Sequence, residues 1–133
     1  MNIKLTINHI GYCVHSIENS VPFFISLGYS VKTEIFFHQL QKVYLQLLIH
    51  NTNNICIELL QPIDDNSPIS TILKKNYPMP YHICYEFNDT EKAIYYCKKL
   101  QLRQITKMTF SPIFQKNSCF FFHKEIGICE ILS

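Results

Sequence analysis

The chain has 133 residues, of which 47% are hydrophobic and 17% charged, with a formal net charge of +2. That length suits one domain (1–133) whose core stands without disulfides or a structural metal, and the composition excludes disorder. No apolar run approaches the about 18 residues of a membrane span, the opening residues are unlike a signal peptide, and one Arg (Arg103) with scattered lysines makes no phosphate-tracking stripe. These features predict a soluble, cytoplasmic protein with neither membrane nor nucleic acid as a partner.

Residues 5–14 alternate and are β-rich, which predicts a strand. A helix follows, with Ile17, Val21, Phe24 and Ile25 on one face and Leu27-Gly28 as its stop. Pro22 belongs in its first turn, after a cap at Asn19 or Ser20, because a proline deeper in a helix costs about 3 kcal/mol. Strands are expected near 29–37, 42–50 and 54–60, the last two joined by the turn-forming Asn51-Thr52-Asn53-Asn54. Residues 62–78 connect, with Ser67-Pro68 as the start of a short helix carrying Ile69, Ile72 and Leu73. The plan then restarts, with a strand at 81–87, a helix over about 90–100 capped at Asn88-Asp89, and strands near 102–110, 117–123 and 127–132. The expected architecture is α+β, two βαβββ modules over about 1–61 and 79–133.

His9 and His82 stand on the first strands of the two modules, and Glu58 and Glu130 on the last, 49 and 48 residues on. A carboxylate inside Ile57-Glu58-Leu59-Leu60 or Cys129-Glu130-Ile131-Leu132 stands among core residues, where an unpaired charge is expensive. Strand alternation turns it away from Ile57 and Leu59, or from Cys129 and Ile131. A pseudo-twofold relation between the modules would bring the two His and two Glu together. Two imidazoles and two carboxylates suit one divalent ion of borderline hardness, namely Mn, Fe, Co, Ni or Zn, with positions open for substrate.

Other residues read more plainly. Six cysteines (Cys13, Cys56, Cys84, Cys97, Cys119, Cys129) include no C-x-x-C spacing and sit in apolar stretches, as buried reduced thiols do. His15, His38, His50 and His123 have no repeat partner and are assigned to the surface or rim, and Phe120-Phe121-Phe122 to strand core. No nucleophile elbow, P-loop or dinucleotide fingerprint is present.

The segments His9-Ile10-Gly11-Tyr12-Cys13-Val14, Ile57-Glu58-Leu59-Leu60-Gln61-Pro62, Asp65-Asn66-Ser67-Pro68-Ile69, Tyr81-His82-Ile83-Cys84-Tyr85-Glu86-Phe87 and Gly127-Ile128-Cys129-Glu130-Ile131-Leu132 resemble the vicinal oxygen chelate (glyoxalase/bleomycin-resistance) superfamily, in its methylmalonyl-CoA epimerase-like branch. The resemblance covers almost the whole chain. It implies an open, cup-shaped mixed sheet around a divalent metal, a homodimer, and ligand positions at His9, Glu58, His82 and Glu130. Two departures tell against methylmalonyl-CoA itself as substrate: Tyr44 falls where the epimerases carry a further carboxylate base, and 111–118 lacks the family's glycines.

The function expected from these residues is a metal-dependent isomerase, epimerase or lyase of a carbonyl- or thioester-bearing small molecule, acting through a metal-stabilised enediolate. Glu130 is its proton-transfer base and Tyr44 an assisting acid or hydrogen-bond donor. The alternative is a metal-free sequestering or partner-binding protein on the same fold. An extradiol dioxygenase would use two His and one carboxylate and leave the fourth ligand unexplained.

Overall fold

The computed structural model describes residues 3–133. The chain divides into two compact units, one formed by His9–Tyr81 and the other by residues 3–8 together with His82–Ser133. The first unit runs from strand β1 (Leu5–Cys13), whose opening residues belong to the second unit, through helix α1 (Ile17–Ser26), β2 (Tyr29–Val31), β3 (Phe36–His38), β4 (Val43–His50), β5 (Cys56–Pro62) and α2 (Ser70–Lys75). Its strands lie in the order β2-β4-β5-β1, with β3 also on β4; β1 and β5 are parallel and the other pairs antiparallel.

The second unit takes up β6 (Met79–Phe87) from His82 on, α3 (Thr90–Lys99), β7 (Arg103–Gln104), β8 (Thr109–Ser111), β9 (Lys116–His123) and β10 (Gly127–Leu132), ordered β6-β10-β9-β7 with β8 also on β9. Here β6 and β10 are the parallel pair. Each unit is thus a βαβββ module of a mixed sheet, as the repeat predicts, with the strand after its helix broken in two.

In both units one face of the sheet is covered by the helix. Val14, Ile17, Leu48, Ile57 and Leu59 form the core under α1, with Val21 and Phe24 packed on it. Phe87, Ala93, Cys97, Cys119, Phe121, Cys129 and Ile131 form the core under α3. Burying side chains such as Leu48 and Leu59 stabilises by about 1.5–3 kcal/mol each, so the helix face fixes the register and strand alternation sends Glu58 and Glu130 to the other face.

Four local readings change. Helix α1 begins earlier than expected: Ser16 is its cap, its hydroxyl accepting from the Asn19 amide at 3.1 Å, and the Gln61 side chain accepts from the Ile17 amide at 2.9 Å. Pro22 therefore lies inside the helix rather than in its first turn, because burying Ile17 requires the helix to start there. Helix α2 starts at Ser70 with no side-chain cap; Ser67 instead donates to the Lys42 carbonyl at 2.7 Å and is held out of the helix. Strand β6 begins at Met79 and includes Pro80, which a strand tolerates near its first residue, where its missing N–H breaks no ladder.

The fourth change recurs in both units. The strands expected over 29–37 and 102–110 are each interrupted by a threonine that substitutes for the ladder. Thr33 Oγ1 accepts from the Leu47 amide at 3.1 Å, and Thr106 Oγ1 accepts from the Phe120 amide at 2.9 Å. The cap at Asp89, whose side chain accepts from the Lys92 amide at 2.9 Å, is as expected. So is the stop at Gly28: its φ is +98, and an added Cβ would meet His50 Nε2 at 2.8 Å.

Candidate metal centre

In the first unit, the parallel register sets Gly11 beside Glu58, so His9, two residues earlier on β1, projects to the same face as Glu58. His9 Nε2 lies 3.4 Å from Glu58 Oε1, and both side chains are buried. Directly across from Glu58 on β4 stands Leu47, and next to it on that face Leu45, both buried.

The second unit repeats the arrangement. Ile128 on β10 pairs with His82 on β6, so Glu130, two residues on, shares the face of His82, and His82 Nε2 lies 3.2 Å from Glu130 Oε1. The His82 ring meets Phe120 edge-on, with centroids 5.2 Å apart, which limits how it can turn. Phe120 is directly across from Glu130, and Ser118 is the next residue of β9 on that face. Its hydroxyl donates to Glu130 Oε2 at 2.6 Å, and both residues are buried.

His9, Glu58, His82 and Glu130 are of residue types that could hold a metal ion. The donor set fits a divalent ion: two neutral imidazole nitrogens and two carboxylates, with a charge of −2 that a +2 ion neutralises where water is excluded.

Tyr44 does not join these residues. Its register partner is Gln61, whose side chain faces α1, so Tyr44 lies on the helix face, opposite to Glu58. Its ring packs on Phe37, 5.6 Å between centroids, and it is 38% exposed. The reason is strand parity: counting back from Glu58 across the β4–β5 pair, odd-numbered residues of β4 face the carboxylate, and Tyr44 is even. Sequence reasoning missed Ser118, Thr33 and Thr106. The two threonines carried a usable signal, since each lies 14 residues before the residue opposite its unit's glutamate.

All six cysteines are buried and unbonded to one another. Burial pushes the thiols of Cys13, Cys56, Cys119 and Cys129 up, and that of Cys97 to about 12, with Cys129 and Cys119 nearby adding to the rise. They are packing groups rather than nucleophiles. His38 accepts from the Gln41 amide, His50 contacts the Leu27 carbonyl at 3.1 Å, and His123 accepts from the Glu125 amide. These are loop and rim roles. Of the phenylalanine run, Phe121 lies in the core under α3, whereas Phe120 and Phe122 face the other side, Phe122 under the Arg103 guanidinium. No helix among the described residues is long and apolar enough to cross a membrane.

Comparison with known proteins agrees with this reading of the fold. The family model described as Glyoxalase/Bleomycin resistance protein/Dioxygenase superfamily matches residues 8–118. The mitochondrial methylmalonyl-CoA epimerase of Homo sapiens is 27% identical over 123 residues, covering 91% of this chain and 68% of that protein. The Mus musculus enzyme is 28% identical over 102 residues, covering 75% of this chain and 56% of that protein. Among solved structures, a Streptomyces coelicolor methylmalonyl-CoA epimerase in complex with 2-nitronate-propionyl-CoA superposes with a TM-score of 0.81 at 21% identity, over 97% of this chain and 94% of that one. With the two βαβββ modules and their matched His–Glu pairs, the chain belongs to the glyoxalase/bleomycin resistance/dioxygenase superfamily, in its methylmalonyl-CoA epimerase-like branch.

Proposed function

We propose that the protein is a divalent-metal-dependent epimerase or isomerase of a small acyl thioester, with His9, Glu58, His82 and Glu130 as ligands of one ion and Glu130 as the proton-transfer base. The observation that carries this reading is the duplication of a buried His–Glu pair at equivalent strand positions of the two units. One such pair is an ordinary satisfied polar contact. Two, on matched strands, supply the ligand set of an open catalytic site. The resemblance to enzymes named methylmalonyl-CoA epimerase supports the thioester substrate class.

When bound, the ion would polarise the thioester carbonyl and so acidify the adjacent C–H bond. The chain's own residues do the rest. Glu130 accepts the proton from that carbon and loses it to solvent, and delivery of a proton to the opposite face of the carbon completes the inversion. His9 and His82 would hold the ion through imidazole nitrogens, which as neutral ligands add no charge to that of the two carboxylates. Leu45 and Leu47 keep the surroundings of Glu58 apolar, which strengthens electrostatic interactions there. Tyr44, on the other face of the sheet, takes no part in this scheme. We also read the protein as a cytoplasmic homodimer, an assembly that sedimentation of the purified chain at micromolar concentration tests.

The deciding experiment is metal analysis of protein purified without chelators, followed by solvent deuterium incorporation into a panel of 2-substituted acyl thioesters. One bound ion per chain and exchange of at least one panel member are expected. Protein that exchanges none of them with Co, Ni, Mn, Fe or Zn, yet binds an apolar ligand equally well without metal, would be a sequestering protein.

A further inference from the structure

We infer that Ser118 is a positioning residue for the metal centre. It pins one oxygen of Glu130 so that the other stays directed at the ion shared with His82. The inference deepens the proposed function and rests on its assignment of His82 and Glu130 as ligands.

The geometry divides the carboxylate between two tasks. Oε2 accepts the Ser118 hydroxyl at 2.6 Å, a short bond of the charge-assisted kind, while Oε1 is the oxygen 3.2 Å from His82 Nε2. A glutamate has three side-chain torsions, and anchoring Oε2 restricts where Oε1 can point. Ser118 is itself fixed: it is buried on β9, opposite Leu132, with Thr109 of β8 on its other side. A serine hydroxyl has one proton, and here it is spent on the carboxylate.

The other unit supplies an internal control. The corresponding place there is held by Leu45, which bears the same relation to Leu47 and Glu58 that Ser118 bears to Phe120 and Glu130. A leucine fills that site without donating anything. A hydroxyl is therefore not what this position of the fold requires for packing. Its presence beside Glu130 alone ties it to that carboxylate.

The test is Co²⁺ titration of the full-length protein, followed by visible absorption, for wild type and Ser118→Ala, Ser118→Thr and Ser118→Cys, with folding checked by near-UV circular dichroism. Removing a hydrogen-bond partner of a metal ligand typically weakens metal affinity about 10–100-fold, and Ser118→Ala is expected to fall in that range. Its Co²⁺ spectrum should change as the released carboxylate rebinds differently. Ser118→Thr, which keeps the hydroxyl, should restore both affinity and spectrum, and Ser118→Cys, a weaker donor, should lie between. Should the alanine variant fail to fold, the order of serine and threonine above cysteine decides. Alanine or cysteine variants with wild-type affinity and spectrum would overturn the inference, as would a threonine variant as weak as alanine. Wild-type protein that binds no Co²⁺ would instead overturn the ligand assignment itself, and the inference with it.

Discussion

The two units are the same machine down to a backbone detail, and differ in one side chain next to the carboxylate. His82, Thr106 and Phe120 each lie 73 residues after His9, Thr33 and Leu47, and Glu130 lies 72 after Glu58. In both, a threonine hydroxyl takes the amide of the residue facing the glutamate. Ser118 and Leu45 keep the same 73-residue offset but not the same chemistry. The backbone and the His–Glu pair thus repeat, while the hydroxyl beside the glutamate does not. Glu130 is held by a hydroxyl donor, and Glu58 has two leucines beside it. A duplicated scaffold has two glutamates that are not interchangeable.

The sharpest way to break that comparison is to neutralise each carboxylate in turn. Glu130→Gln should lower solvent exchange of the acidic substrate proton by about 10²–10⁴-fold, the usual worth of a general base. Glu58→Gln should weaken metal binding but leave exchange recoverable at saturating metal. Equal, unrecoverable loss in both variants would make the two glutamates equivalent.

Next in size is the cost of swapping the flanking residue. Leu45→Ser removes a buried side chain and adds a hydroxyl, and should cost about 2–5 kcal/mol in urea unfolding. Ser118→Ala should cost about 1–3 kcal/mol, the penalty of leaving a buried acceptor short of a partner. The reverse ranking would mean that Leu45 packs loosely.

A smaller effect concerns pH. An unfolded thiol ionises near 9.0, whereas burial pushes the folded Cys97 thiol up to about 12. Between these values the unfolded chain binds fewer protons than the folded one, so stability is complete below pH 9 and falls as pH rises towards 12. Urea unfolding at pH 8 and pH 10 should show the drop, and it should shrink in Cys97→Ala.

The smallest expected effect is none. Tyr44→Phe should leave proton exchange unchanged, since its ring lies on the face away from Glu58. A large loss would place Tyr44 in the chemistry after all.

Much of this was legible before folding. The helix cap at Asp89, the stop at Gly28 and the alternation around Glu58 and Glu130 are local signals, and each stands in the structure as the residues suggest. Pro22 was misplaced because the cost of a proline inside a helix is outweighed by burying Ile17 and by Gln61, 44 residues away, which satisfies the first amide. The threonine interruptions escaped because threonine favours strands, and only its cross-strand partner shows that its hydroxyl replaces the backbone there. Tyr44 was assigned by position in a family pattern. The face a strand residue takes depends on the pairing register, and a one-residue difference reverses it.

The division of the chain has a consequence for how the protein is made. The second unit includes residues 3–8, and it joins them over long distances: Asn8 donates to Glu86 Oε1 at 3.0 Å, across 78 residues of sequence, and Ile3 packs on the core under α3. Residues 3–8 therefore cannot find their place until the partners from Glu86 to Ile131 have been made. A fragment beginning at the connector would lack part of its own core. Half-proteins cut between the repeats should be poor folders, although the repeats themselves are complete, and sites for splitting the gene lie elsewhere than at the visible seam.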